Sequence, residues 1–180
     1  MPADMAEGDT GAGAAPYTDA ARARLVAAYE ACELADLARA AVPIGEHELN
    51  ADGTVRSPGA LLADAARVLV AARRFVEAAA VFERLGGASW EIVGDVLGVP
   101  PSTARACFRA AEARFREEAH SPTETVGKPG PLGELSWWRA HMAREPLEAA
   151  LDLDDWVLRH QDGDSGLGTA PVSGGLTPQR

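Results

Sequence analysis

Cysteine is scarce in this chain. Cys32 and Cys107 are the only two in 180 residues, which excludes a disulfide scaffold and a four-cysteine zinc site; both are expected to be small buried apolar residues. Aromatic residues make up only 6%, and Lys128 is the sole lysine among 17 basic side chains. No apolar run approaches the roughly 18 residues a membrane span needs. Residues 1–16 carry neither a basic region nor an apolar stretch, so no secretory signal is expected. No segment alternates apolar and polar residues with β-branched enrichment, which argues against strands, and no internal repeat is visible. His47, His120, His141 and His160 are scattered without an i, i+4 pair, so neither a metal nor a cofactor is expected. These absences lead to a soluble, cytoplasmic, all-α protein.

What is present is a 47% hydrophobic content, enough for a folded core, and a net charge of −10 that is spread unevenly. Residues 1–56 are net −6 and residues 121–180 net −4, while residues 57–120 balance to zero. Glycine and proline divide the chain: a disordered arm over 1–16, an N-terminal helix and loop over 17–56, a central domain over 57–120, a linker over 121–134, a tryptophan-containing helical segment over 135–160, and a disordered Gly/Ser-rich tail over 161–180. Thr18 is placed to cap the first helix. Residues 60–85 run without Gly or Pro, with apolar residues recurring at sevens (Leu61, Val68, Phe75, Phe82; Leu62, Leu69, Val76; Ala65, Ala72, Ala79). Such a broad stripe suits a long core helix, or one that also pairs with a second copy of itself. Pro146 suits the first position of a last helix ending near His160.

Residues 86–118 carry the most information. Gly86-Gly87 end the long helix, and Ser89 can cap a short one starting at Trp90. Val93 and Leu97 give that helix a buried face, Gly94 allows a close approach, and Gly98 permits the positive φ of a tight turn, with Val99 plugging the corner. A further helix starts near Pro101, with Ala104, Phe108, Ala111 and Phe115 inward and Arg105, Arg109 and Arg116 toward solvent. Ser102 to Arg116 holds four Arg and one Glu, net +3.

This segment resembles the helix-turn-helix of region four of bacterial sigma factors and of related small actinobacterial regulators. Trp90, Glu91, Val93, Leu97, Gly98, Val99, Thr103 and Phe108 fill matching positions, with Ala104 where the family has Val; Pro100 and Cys107 stand where it carries Ser and Arg. The resemblance covers about 30 residues of the 180. It implies a sequence-specific DNA-binding transcriptional regulator whose second helix, about 101–118, enters the major groove. It places Ser102, Arg105, Ala106 and Arg109 at base edges, where Arg suits guanine O6/N7, and Thr103, Arg114 and Arg116 at phosphate. Double-stranded DNA is then the partner, the protein is nucleoid-associated, and a homodimer is expected because one recognition helix reads few base pairs.

The alternative is a protein-interaction module on the same fold, binding RNA polymerase, a sigma factor or another regulator. Trp137, Trp138 and Trp156, gathered in a chain poor in aromatics, either close the core over the long helix or form a docking surface. Asp152, Asp154 and Asp155 read as the solvated side of their helix. Gly163-Asp-Ser-Gly166 copies the surroundings of a protease nucleophile, but in a Gly-rich tail without a scaffold for a triad. No motif favours an enzyme.

Overall fold

A computed structural model describes residues 17–42, 45, 47–120, 141–142, 145–161, 163 and 166–176. Among them the regular structure is helical with no strand, and Leu49 and Val55 form an isolated antiparallel bridge in the loop after the first helix. Five helices follow in order: α1 (Asp19–Ala40), α2 (Ala60–Leu85), α3 (Trp90–Leu97), α4 (Pro101–His120) and α5 (Pro146–His160), with a 3-10 turn at Ser173–Gly175. No helix among the described residues is long and apolar enough to cross a membrane. Residues 1–16, the whole of the 121–134 linker, and Trp137 and Trp138 lie outside the described residues.

Local chemistry sets the helix ends. The Thr18 hydroxyl accepts from the Ala21 amide at 3.1 Å and satisfies one of the orphan donors at the start of α1. Pro146 occupies the first turn of α5, where a missing N–H costs nothing. α2 begins after Gly59 and ends at Gly86, with Gly87 beyond it at φ 102°.

α1 and α2 pack along each other most extensively, and α4 and α3 close against the C-terminal half of α2. Three apolar clusters result. Leu25, Ala28 and Cys32 of α1 meet Met142 and Ala149, Ala150 and Leu153 of α5. Ala23, Val81 and Ala111 join α1, α2 and α4, with Phe82, Leu85 and Phe115 around them. Ala80, Val93 and Ala104 join α2, α3 and α4, with Trp90, Val99 and Phe108. Small residues dominate these contacts, so the helix backbones approach closely. The Glu30 carboxylate, 1% exposed, is buried within this packing and accepts from Arg74 Nε at 3.1 Å.

Several expectations are corrected here. The broad stripe of α2 is not covered as a whole. Val68, Phe75 and Phe82 are half-buried, but Leu61 at the start of their line is 57% exposed, and Leu62 is 74% and Leu69 52% exposed, with Val76 also exposed. Adjacent residues on a helix stand about 100° apart, so the line through residues 62, 69 and 76 lies beyond the reach of α1. Leu97 was expected to be buried with Val93 but is 40% exposed, because the chain turns at Gly98 and Val99 takes the inner position. Cys107 is exposed rather than buried: it sits one residue off the inward line through Ala104, Phe108 and Ala111. Cys32 is buried as expected, and burial, with Asp36 and Glu33 nearby, pushes its thiol up to about 11.

Asp154 is likewise not on a solvated face. At 4% exposure it accepts from the Val172 amide at 2.6 Å, the Ser173 amide at 3.0 Å and the Ser173 hydroxyl. The segment read as a disordered tail is thereby tied at Val172–Ser173 to α5, and Val172 and Leu176 pack on the cluster between α1 and α5. Trp156 joins the same cluster rather than covering α2, and its indole N–H donates to the Asp36 carboxylate at 3.0 Å.

Candidate nucleic-acid interface

The site is built on the turn between α3 and α4. Ser89 caps α3 by accepting from the Ile92 amide at 3.3 Å. The same hydroxyl, with the Glu91 backbone amide and the nearby Arg84 guanidinium, holds the Glu91 carboxyl below the usual carboxylate range. At the other end Gly98 adopts φ 66°, a left-handed conformation costly for a residue with a Cβ. The Val99 amide bonds back to the Gly94 carbonyl at 2.9 Å and the Gly98 amide to Asp95 at 3.3 Å, the paired bonds of a Schellman ending. The chain then crosses over Gly94. A Cβ at that position would lie 2.6 Å from the Val99 carbonyl oxygen and 3.2 Å from Pro101 N.

α4 starts without a capping side chain. The Pro100 carbonyl accepts from the Thr103 and Ala104 amides at 2.9 and 3.0 Å, and Pro101 contributes no N–H that needs a partner. Ala104 and Ala111 are buried, which fixes the rotation of the helix and turns Ser102, Thr103, Arg105, Ala106 and Arg109 to solvent.

The seven residues singled out from the sequence fall into two groups. Ser102, Thr103, Arg105, Ala106 and Arg109 form one exposed surface on the first half of α4. Arg105 and Arg109 have no ion-pair or hydrogen-bond partner among the described residues. Arg114 and Arg116 are exposed but engaged: Arg114 Nη2 lies 3.2 Å from Glu77 of α2, and Arg116 Nη2 lies 2.9 Å from Glu112.

Sequence reasoning missed three residues beside this surface: Arg84, Trp90 and Glu112. Glu112 is buried and accepts from Arg84 Nε at 3.3 Å through one oxygen and from Arg116 through the other. The Arg84 guanidinium also donates to the Ala88 carbonyl and lies 4.3 Å from the centre of the Trp90 ring. With Arg105 and Arg109 these groups line a cleft of about 230 Å³. The spacing 105, 109, 112, 116 places four of them on one flank of a helix; nothing local announces Arg84, which reaches α4 from the end of α2.

No known protein family, characterised protein or solved structure matches this chain. The functional reading therefore stands on the residues themselves. Among the described residues no three His, Cys, Asp or Glu side chains converge as a metal would require.

Proposed function

We propose that this chain is a DNA-binding transcriptional regulator, with α3 and α4 acting as a helix-turn-helix of the sigma region-four kind and α4 entering the major groove of a double-stranded site. The observation that carries this reading is the pair Arg105 and Arg109: exposed, one turn apart, without a partner among the described residues, on a helix whose rotation the buried Ala104 and Ala111 hold. A guanidinium in that position matches guanine O6/N7 with two parallel hydrogen bonds. Ser102 and Ala106 lie beside them for further base-edge contact, and Thr103 for phosphate. Arg114 and Arg116 serve phosphate despite their carboxylate partners. The Arg114–Glu77 pair is solvent-exposed and worth about 0–1 kcal/mol, so a phosphate displaces it at little cost, whereas Arg116 keeps the buried Glu112 as partner and offers phosphate only its remaining N–H groups.

A second copy of the chain completes the reader, since a lone recognition helix contacts too few base pairs for specificity. The exposed line Leu62, Ala66, Leu69, Arg73 and Val76 on α2 repeats at the sevenfold spacing of helix pairing and is the face assigned to that copy.

The test is retention of sheared genomic DNA at about 50 and about 200 mM salt, wild type against Arg105→Ala/Arg109→Ala. Binding that falls steeply with salt and is lost in the variant supports the reading; no binding at the lower salt refutes it.

A specific observation also favours a protein-interaction module for polymerase, a sigma factor or another regulator. Ile92 and Val96 stand exposed on α3, Val96 at 79%, and apolar groups in water mark contact surfaces. A protein partner whose capture survives Arg105→Ala/Arg109→Ala and is lost in Val96→Asp decides for it.

A further inference from the structure

The cleft between the end of α2, the start of α3 and one flank of α4 presents four guanidiniums, Arg84, Arg105, Arg109 and Arg116, against the single carboxylate of Glu112. We propose that it binds a small, multiply charged phosphate anion of the di- or triphosphate class.

Charge is the first argument. Four cations and one anion leave an excess of three positive charges in a concave site, in a protein that is net −10 overall. Concave walls focus the field of like charges and raise the local concentration of counter-ions. Geometry is the second. Glu112 faces the cleft, but both of its oxygens are occupied, one by Arg84 at 3.3 Å and one by Arg116 at 2.9 Å. It therefore orients two guanidiniums and leaves their remaining N–H groups to a ligand. Arg84 is held further by the Ala88 carbonyl and the Trp90 ring. Two donors are thus preorganised at the base, and Arg105 and Arg109 stand uncommitted at the rim, able to close on the anion with two-pronged contacts. Size is the third. A duplex is too wide to enter a cleft of about 230 Å³, whereas an isolated phosphate chain is small enough to sit among the guanidiniums that line it.

The ligand draws on Arg105 and Arg109, the groups assigned above to base edges, and on Arg116, assigned above to DNA phosphate. Its binding stands independently of the DNA reading; only its competition with DNA rests on that reading.

The experiment titrates the ¹⁵N-labelled full-length protein with sodium pyrophosphate, without DNA, at ionic strength held constant with sodium chloride. The readouts are the Trp90 indole N–H and Arg84 Nε–H resonances. The expected result is a saturable shift of both, weakened roughly tenfold or more in Arg105→Ala/Arg109→Ala and in Arg109→Glu, and unchanged in Arg114→Ala, whose guanidinium is paired with Glu77. Failure to saturate at millimolar pyrophosphate, or equal affinity in the Arg105/Arg109 variants, overturns the proposal. A parallel DNA titration separates the two readings. DNA retained without a pyrophosphate response sinks this proposal alone, and a pyrophosphate response without DNA binding sinks the DNA reading alone. Displacement of DNA by pyrophosphate supports both.

Discussion

Replacing Gly94 by alanine is the sharpest test of the α3–α4 corner, because two opposing effects can be weighed. Alanine is the better helix former, and in the interior of a helix the exchange alone stabilises by about 0.5–1 kcal/mol. Against this, the new Cβ would lie 2.6 Å from the Val99 carbonyl oxygen and 3.2 and 3.3 Å from Pro101 N and Cα, all backbone atoms. A comfortable C···O distance is about 3.3 Å, so the Val99 carbonyl must retreat by roughly 0.7 Å. No rotamer can absorb that movement. It pulls on the 2.9 Å bond from the Val99 amide to the Gly94 carbonyl and on Val99 in its apolar cluster. Overpacking of this kind costs about 1–3 kcal/mol, so the net expectation is a loss of about 1–2 kcal/mol. For a chain of this size that lowers the melting temperature by about 2–8 °C. Circular dichroism at 222 nm during thermal and urea unfolding measures it. Gly98→Ala is the companion: nothing lies within 4 Å of its Cβ position, so its cost comes only from φ 66°, about 1–2 kcal/mol. A Gly94→Ala protein as stable as wild type would show that the chain does not cross over α3 at this point.

Other perturbations have equally definite outcomes. Arg74→Ala leaves the Glu30 carboxylate buried without its guanidinium, and a loss of about 3 kcal/mol is expected by urea unfolding; a loss under about 1 kcal/mol would count against a buried pair. Iodoacetamide at neutral pH should modify exposed Cys107 quickly and Cys32 slowly, since burial holds the Cys32 thiol protonated; mass spectrometry with equal labelling of both refutes this. Because the Cys32 value is raised, its contribution to stability is complete below about 9 and fades as pH rises toward about 11; a Cys32→Ser protein should lack that alkaline decline. Asp154→Ala should abolish amide-exchange protection at Val172 and Ser173 while leaving α4 protected; persisting protection there would refute the anchoring role of Asp154.

Local signals in the sequence were enough for the helix ends. Thr18 and Ser89 cap through hydroxyls, Gly98 supplies the left-handed turn, and Pro101 and Pro146 sit in first turns. Each decision involves residues within a few positions of one another, so composition and spacing reveal it. Burial was less legible. A seven-residue repeat marks all three lines on α2 equally well, and only the packing of the neighbouring helices decides that Phe75 is half-buried and Leu69 is exposed. The same holds for Cys107, one residue away from an inward line. Within the site, α4 alone was enough to turn Arg105 and Arg109 outward. The Arg84–Glu112 pair spans 28 positions and the Asp154–Val172 bond 18. Such pairings depend on how helices meet, which no local pattern encodes.

α1 serves two cores at once. Its Ala23 belongs to the cluster with α2 and α4, while Leu25, Ala28 and Cys32 belong to the cluster with α5 and the Val172–Leu176 segment. The consequence is an order of opening. α5 and the segment clasped to Asp154 can detach as one cooperative unit, exposing one side of α1 while Val81, Ala111, Val93 and Ala104 keep their partners. Loss of α1 has no such graded outcome, because it strips both clusters together. The surface around Arg105 and Arg109 thus rests on clusters to which α5 contributes no residue.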